Sequence, residues 1–124
     1  MSSFSDDLSE RFLRFVVGII KIERVLCKTY AGRHIYGQLF RAGSSAGANY
    51  EEARAAESRA DFVHKMQIVL KEVRESLFWI KVIRSSEMIP TDNEIMTFLF
   101  SETKELASIT AKSVLTAKSK IVKT

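Results

Sequence analysis

Apolar residues recur at helical spacing along nearly the whole chain, and no segment alternates with a period of two for long enough to compete as a strand. Leu8, Phe12, Phe15, Ile19, Ile22 and Leu26 are separated by 4, 3, 4, 3 and 4 residues, the seam of a helix in a left-handed bundle. A second stripe of Leu13, Val16, Val17 and Ile20 leaves Arg14, Gly18, Lys21 and Lys28 as a narrow polar edge. Further on, Phe62, Met66, Val69, Val73, Ile80 and Ile83 form another stripe, flanked by Val63, Leu70 and Leu77. A last one holds Ile95, Leu99, Leu106 and Ile109 before the pattern fades into lysines. One apolar face per helix satisfies a bundle core. The surplus on the first and third helices predicts a second buried surface, most simply between subunits.

Punctuation divides these stripes. The single proline, Pro90, ends a helix, and Thr91-x-x-Glu94 has the form of a capping box that starts the next. Ser58 and Thr29 are cap candidates at two earlier breaks, and Ser5 with Asp6 and Asp7 opens the first helix with acids at its positive end. The prediction is one domain over residues 1–124, an all-α, up-down-up-down antiparallel four-helix bundle. Its helices run roughly over 6–27, 30–56, 59–87 and 92–120, and the surplus apolar surface predicts a homo-oligomer. The second helix departs from the others, because Ala42 to Ala48 is nearly all small. The spacing of a phosphate-binding loop is missing, so close approach of two backbones is the reading. Two mid-helix glycines each cost about 1 kcal/mol, which tight packing should offset.

Composition narrows the class. At 46% hydrophobic and 27% charged residues the chain is ordinary for a soluble domain. One cysteine, Cys27, excludes an internal disulfide and reads as a small buried hydrophobe at a helix end. A polar, acidic start is unlike a secretory signal, and the run from Phe15 to Ile20 is far too short to span a membrane, so a cytoplasmic location is expected. The formal charge of +4 is localised: residues 1–111 carry equal numbers of acidic and basic side chains, and the surplus is Lys112, Lys118, Lys120 and Lys123. That basic end, whose simpler reading is a frayed, solubilising terminus, is one candidate contact for nucleic acid. The other is the connection containing Lys28, Tyr30, Arg33, His34 and Tyr36, where cations and aromatic rings mix. An ordinary exposed connection is the simpler reading there. In the predicted topology the two lie at opposite ends, about 38 Å apart for a helix of about 25 residues.

Catalytic chemistry has little to stand on. His34 and His64 have no partner at metal-ligand spacing, and no Glu-x-x-His pattern is present. Glu72 and Glu75 have Lys65 and Lys71 at heptad and i,i+4 spacing and read as ion pairs. No nucleophile has a base and an orienting group beside it. The sequence therefore predicts no catalytic residues, no metal, no cofactor and no enzyme.

The segment from Gly32 to Ala53, followed by Glu57-Ser-Arg-Ala-Asp-Phe62 and Leu70-Lys-Glu-Val-Arg-Glu-Ser-Leu-Phe-Trp79, resembles the four-helix-bundle proteins named after intervening sequences of bacterial 23S rRNA genes. The likeness runs from about Leu8 to Leu106. Its motif positions here are Gln38, Arg41, Ser45, Asn49, Glu52, Asp61, Lys71, Glu72 and Glu75, with Ala53, Ser58 and Phe62 beside them. Ala46 replaces a usually larger aliphatic residue, and the lysine-rich end has no counterpart. The resemblance implies that the homo-oligomer is ring-like, a homopentamer, with no established enzymatic activity. A related, more basic branch serves as accessory protein to the reverse transcriptase of diversity-generating retroelements and binds nucleic acid. Two expectations stand side by side: an oligomeric scaffold that binds nucleic acid, chiefly structured RNA, and a structural module whose partner is another protein.

Overall fold

The computed structural model describes residues 3–122, with side chains through Ile121, and these residues form five helical segments without a strand. Helix α1 spans Phe4–Lys21 and is continued after a break at Ile22 by the single turn α2, Glu23–Leu26. Helices α3, α4 and α5 span Tyr30–Arg54, Arg59–Ser86 and Glu94–Val122. With α1 and α2 as one rod, four rods pack in the cyclic order α1, α3, α4, α5 and back to α1. Each neighbouring pair runs antiparallel. Ser5 meets Tyr50 while Val16 faces Gly47, Arg41 meets Glu72 while Lys65 meets Glu52, and Arg11 meets Glu102 while Gly18 faces Leu99. The architecture is a four-helix bundle.

The seam predicted for the first helix is buried throughout, from Leu8 to Leu26. On α4, Met66, Val69, Val73, Ile80 and Ile83 are buried and Phe62 partly so. On α5 the expected Leu99 and Leu106 are buried and Ile95 and Ile109 pack partly buried beside them, while Met96, Thr103, Thr110, Val114 and Ala117, which the stripe did not include, complete the inward face. Two threonines stand at core positions and interrupt the apolar pattern that sequence reading relies on. Helix α5 runs on to Val122 and stays packed through Val114 and Ala117, so the lysine-rich stretch is helical instead of frayed, with residues 118–121 exposed.

Capping explains the boundaries. Thr29 and Ser58 accept from the backbone N–H groups of Gly32 and Asp61 at 3.0 Å, as the sequence suggested. At the other two starts the caps shift. Ser3, not Ser5, caps α1, which frees Ser5 to meet Tyr50. Asn93, not Thr91, caps α5 by accepting from the Met96 N–H at 3.0 Å. Thr91 and Asp92 are taken up by the turn after Pro90. Helix α4 ends on Glu87 in the left-handed conformation, with the paired Glu87–Arg84 and Met88–Ile83 backbone bonds of a Schellman cap.

The small-residue run does what close packing requires. Ala42, Gly43 and Ala46 are buried, and Gly43 packs on α1, where a Cβ would collide with Ile19. Gly18 was expected on a polar edge but is buried: a Cβ there would stand 3.0 Å from Leu99 Cδ2. Leu99 and Phe98 of α5 occupy the space beside it, so its missing side chain is a packing feature. Cys27 closes α2 and is half-buried instead of fully enclosed.

Candidate nucleic-acid interface

The basic end of α5 is the first candidate region. Helix α1 begins at Phe4, while antiparallel α5 carries its last turns past that point, so a groove opens between the start of α1, the start of α4 and the end of α5. It has a volume of about 600 Å³ and is lined by Phe4, Phe62 and Ile109 with Arg59, Lys112 and Lys120. No carboxylate lines it. Of the four surplus lysines, Lys112 and Lys120 therefore share one groove with Arg59, a residue that sequence reasoning did not single out. Lys118 is exposed but does not line the groove, and Lys123 lies outside the described residues.

The second region, at the opposite end, is less coherent. Lys28, Arg33 and His34 are exposed, as is Tyr30 at 80%, but the rings of Tyr36 and His34 are engaged by the protein. Tyr36 stacks on Phe40 with ring centroids 5.9 Å apart, and burial, helped by the Glu23 charge, raises its phenol. His34 meets Trp79 edge-on at 6.4 Å, on the other side of α3. Sequence proximity suggested one mixed surface, yet helical rotation sends these rings to different neighbours.

The motif positions form a polar seam between α3 and α4. Gln38, Arg41, Ser45, Asn49 and Glu52 are spaced by 3 or 4 residues and so share one face of α3. Arg41 donates to Glu75 at 2.6 Å and to Glu72 at 3.3 Å. Trp79 Nε1 donates to Glu75 at 3.3 Å, Asn49 bonds back to Ser45, and Lys65 bonds Glu52 at 2.9 Å. These pairings correct the expected ones. Lys65 serves Glu52 and not Glu72, and Lys71 is exposed with no ion pair to Glu75 among the described residues. Burial pushes the Glu75 carboxyl up, but hydrogen bonds from Arg41 and Trp79 and the charges of Arg41 and Lys71 outweigh it, leaving it below the ordinary carboxylate range. Asp61 sits in the first turn of α4, with its backbone held by Ser58. The seam is a built ion-pair network.

Among the described residues, no group of three or more His, Cys, Asp or Glu side chains stands where it could hold a metal ion. Likewise no described helix is long and apolar enough to cross a membrane.

A helical bundle with a polar inter-helix seam and a cationic groove is the class that fold and surface define. The chain belongs to the 23S rRNA-intervening sequence protein family, whose pattern matches residues 7–112. It is also similar to a protein of unknown function from the S23 ribosomal protein family of Bacteroides thetaiotaomicron, known from its crystal structure. The two share 29% sequence identity and a TM-score of 0.76, over 86% of this chain and 96% of that one. Curated proteins give no match.

Proposed function

We propose that this protein is a non-enzymatic, cytoplasmic scaffold that assembles into a ring of identical bundles and binds structured RNA through cations repeated around the ring. The gathering of Arg59, Lys112 and Lys120 in one groove with no carboxylate in its lining, on a chain whose acidic and basic residues balance up to position 111, carries this reading. Assembly is favoured by the outer face of α1, where Leu13 is 58%, Val17 39% and Ile20 48% exposed. Because about half of each side chain is already covered, burying the rest contributes roughly half of the ~1.5–3 kcal/mol of a full burial, about 1 kcal/mol each. A patch of this kind in water invites association. Five copies is the number the family resemblance implies.

Assembly and binding are coupled in this reading. A few cations on one copy hold nucleic acid only weakly, with Kd on the order of 10⁻⁴ M. Linked copies raise apparent affinity by about 10²–10⁴ when one RNA reaches several of them. Light scattering together with filter binding of structured RNA at about 50 mM salt is the test. The parent is expected to be oligomeric and to retain RNA in a salt-dependent way, and Leu13→Glu with Val17→Glu to yield a monomer that does not. A parent that assembles but retains no RNA would transfer the function to a protein partner.

A further inference from the structure

We propose that the groove at the end of α5 takes unpaired nucleotides, with bases against Phe4 and Phe62 and successive phosphates along Arg59, Lys112 and Lys120. The proposal rests on the RNA reading above and sharpens it from general electrostatic attraction to a single-strand site. Its first support is the state of the cations. Only Arg11, Arg41, Arg54 and Lys65 are held by carboxylates among the described residues, so Arg59, Lys112 and Lys120 share their unpaired state with most surface cations. What sets them apart is that one groove without a carboxylate in its lining collects all three. Three uncompensated positive charges therefore face one groove.

Spacing then selects the kind of anion. Lys112 and Lys120 are eight residues apart on α5, about 12 Å along the axis, with Arg59 on a different helix. A lone carboxylate or phosphate group at the end of an apolar tail reaches one of these cations and leaves the others idle. A chain of regularly repeated charges reaches them in turn.

The floor of the groove selects what lies between the charges. Phe4 is 67% exposed in the first turn of α1, and Phe62 and Ile109 are partly buried beneath the lining. Flat aromatic faces beside a cationic track are the platform on which unpaired bases stack without regard to sequence. An acidic peptide could match the charge. However, the described residues offer no sheet edge on which its backbone would pair, and base planes make fuller use of the rings. The family pattern ends at residue 112, so the wall formed by Ser113, Ala117 and Lys120 belongs to the part of the chain outside that match.

Fluorescence anisotropy on the intact protein tests the site with a short oligouridine, an abasic strand of equal length, and an acidic peptide of equal charge. The parent should prefer the oligouridine. Phe4→Ala should weaken that binding about tenfold and leave the abasic strand unchanged, while Phe4→Trp restores it. Lys112→Gln with Lys120→Gln should weaken both strands and reduce the slope of log affinity against log salt by about 1.4. Equal binding of the abasic strand, an unaffected Phe4→Ala variant, or preference for the peptide overturns the proposal. If structured RNA is still retained on filters in any of those cases, only the groove assignment fails. If the parent retains no RNA, the wider reading fails with it.

Discussion

Gly43 lies so close to Ile19 that a methyl group on its α-carbon would overlap Ile19 Cδ1, with Phe15 Cε2 only 3.3 Å away on the same side. Both neighbours are fully buried, so neither has open space into which to retreat. One turn further along, a Cβ on Gly47 would meet only Val16 Cγ2, at 3.2 Å, and Val16 is partly exposed and free to give. The two glycines therefore carry opposite expectations. Gly43→Ala should destabilise by about 1–3 kcal/mol through overpacking, despite better helix propensity. Gly47→Ala should be neutral or stabilising by up to about 1 kcal/mol, and Gly47→Leu destabilising by about 1–3 kcal/mol. Chemical denaturation ranks the variants, and a Gly43→Ala protein as stable as the parent would mean that α1 and α3 stand further apart.

The contrast between these glycines shows how far sequence reasoning carries. That the run from Ala42 to Ala48 packs closely follows from residue size alone, as the seam from Leu8 to Leu26 follows from its spacing. Which glycine bears the contact depends on how α3 is rotated against α1, and that is decided by packing. The partner of Arg41 was hidden for a similar reason. Spacing within α4 offered lysines to Glu72 and Glu75, and only the register of α3 against α4 brings the guanidinium to both. The groove was half legible. Lys112 and Lys120 stood out as surplus charge, but Arg59 and Phe4 join them only because antiparallel helices of unequal length end at different heights. On α5 the spacing found Leu99 and Leu106 but missed part of the inward face, because Thr103 and Thr110 stand where aliphatic residues would have marked it.

Thr110 has a consequence for stability. Its side chain is fully buried and its hydroxyl oxygen has no hydrogen-bond partner among the described residues, whereas buried Thr103 donates to the Leu99 carbonyl one turn back. An unsatisfied buried polar group costs about 1–3 kcal/mol. Valine keeps the branched shape, removes the hydroxyl and has similar helix propensity. Thr110→Val is expected to stabilise by about 1 kcal/mol and to raise the thermal midpoint by roughly 4 °C for a chain of this size. Thr103→Val should give no comparable gain, because there a made bond is lost. If Thr110→Val melts below the parent, the hydroxyl is partnered in solution.

The Arg41–Glu75 pair makes stability depend on pH in a defined direction. The Glu75 carboxyl is held below its ordinary value of 4.5, since the bonds from Arg41 and Trp79 prevail over burial. The unfolded chain, lacking those bonds, takes up the proton at higher pH than the folded one. The pair's stabilisation is therefore complete above about pH 4.5 and is lost as pH falls through the lower folded value. Arg41 is more than half exposed, so solvent screening keeps the contribution modest. Urea denaturation from pH 7 down to pH 3 should show the parent losing stability across the acid range. Glu75→Gln should begin lower at pH 7 and show a shallower decline. Arg41→Met should be less stable still at pH 7, because it leaves both Glu75 and the buried Glu72 without their cation. A Glu75→Gln protein with the parent's acid slope would place the responsible proton on another carboxylate, with Asp6, held low by Ser3 and Arg54, the first to change next.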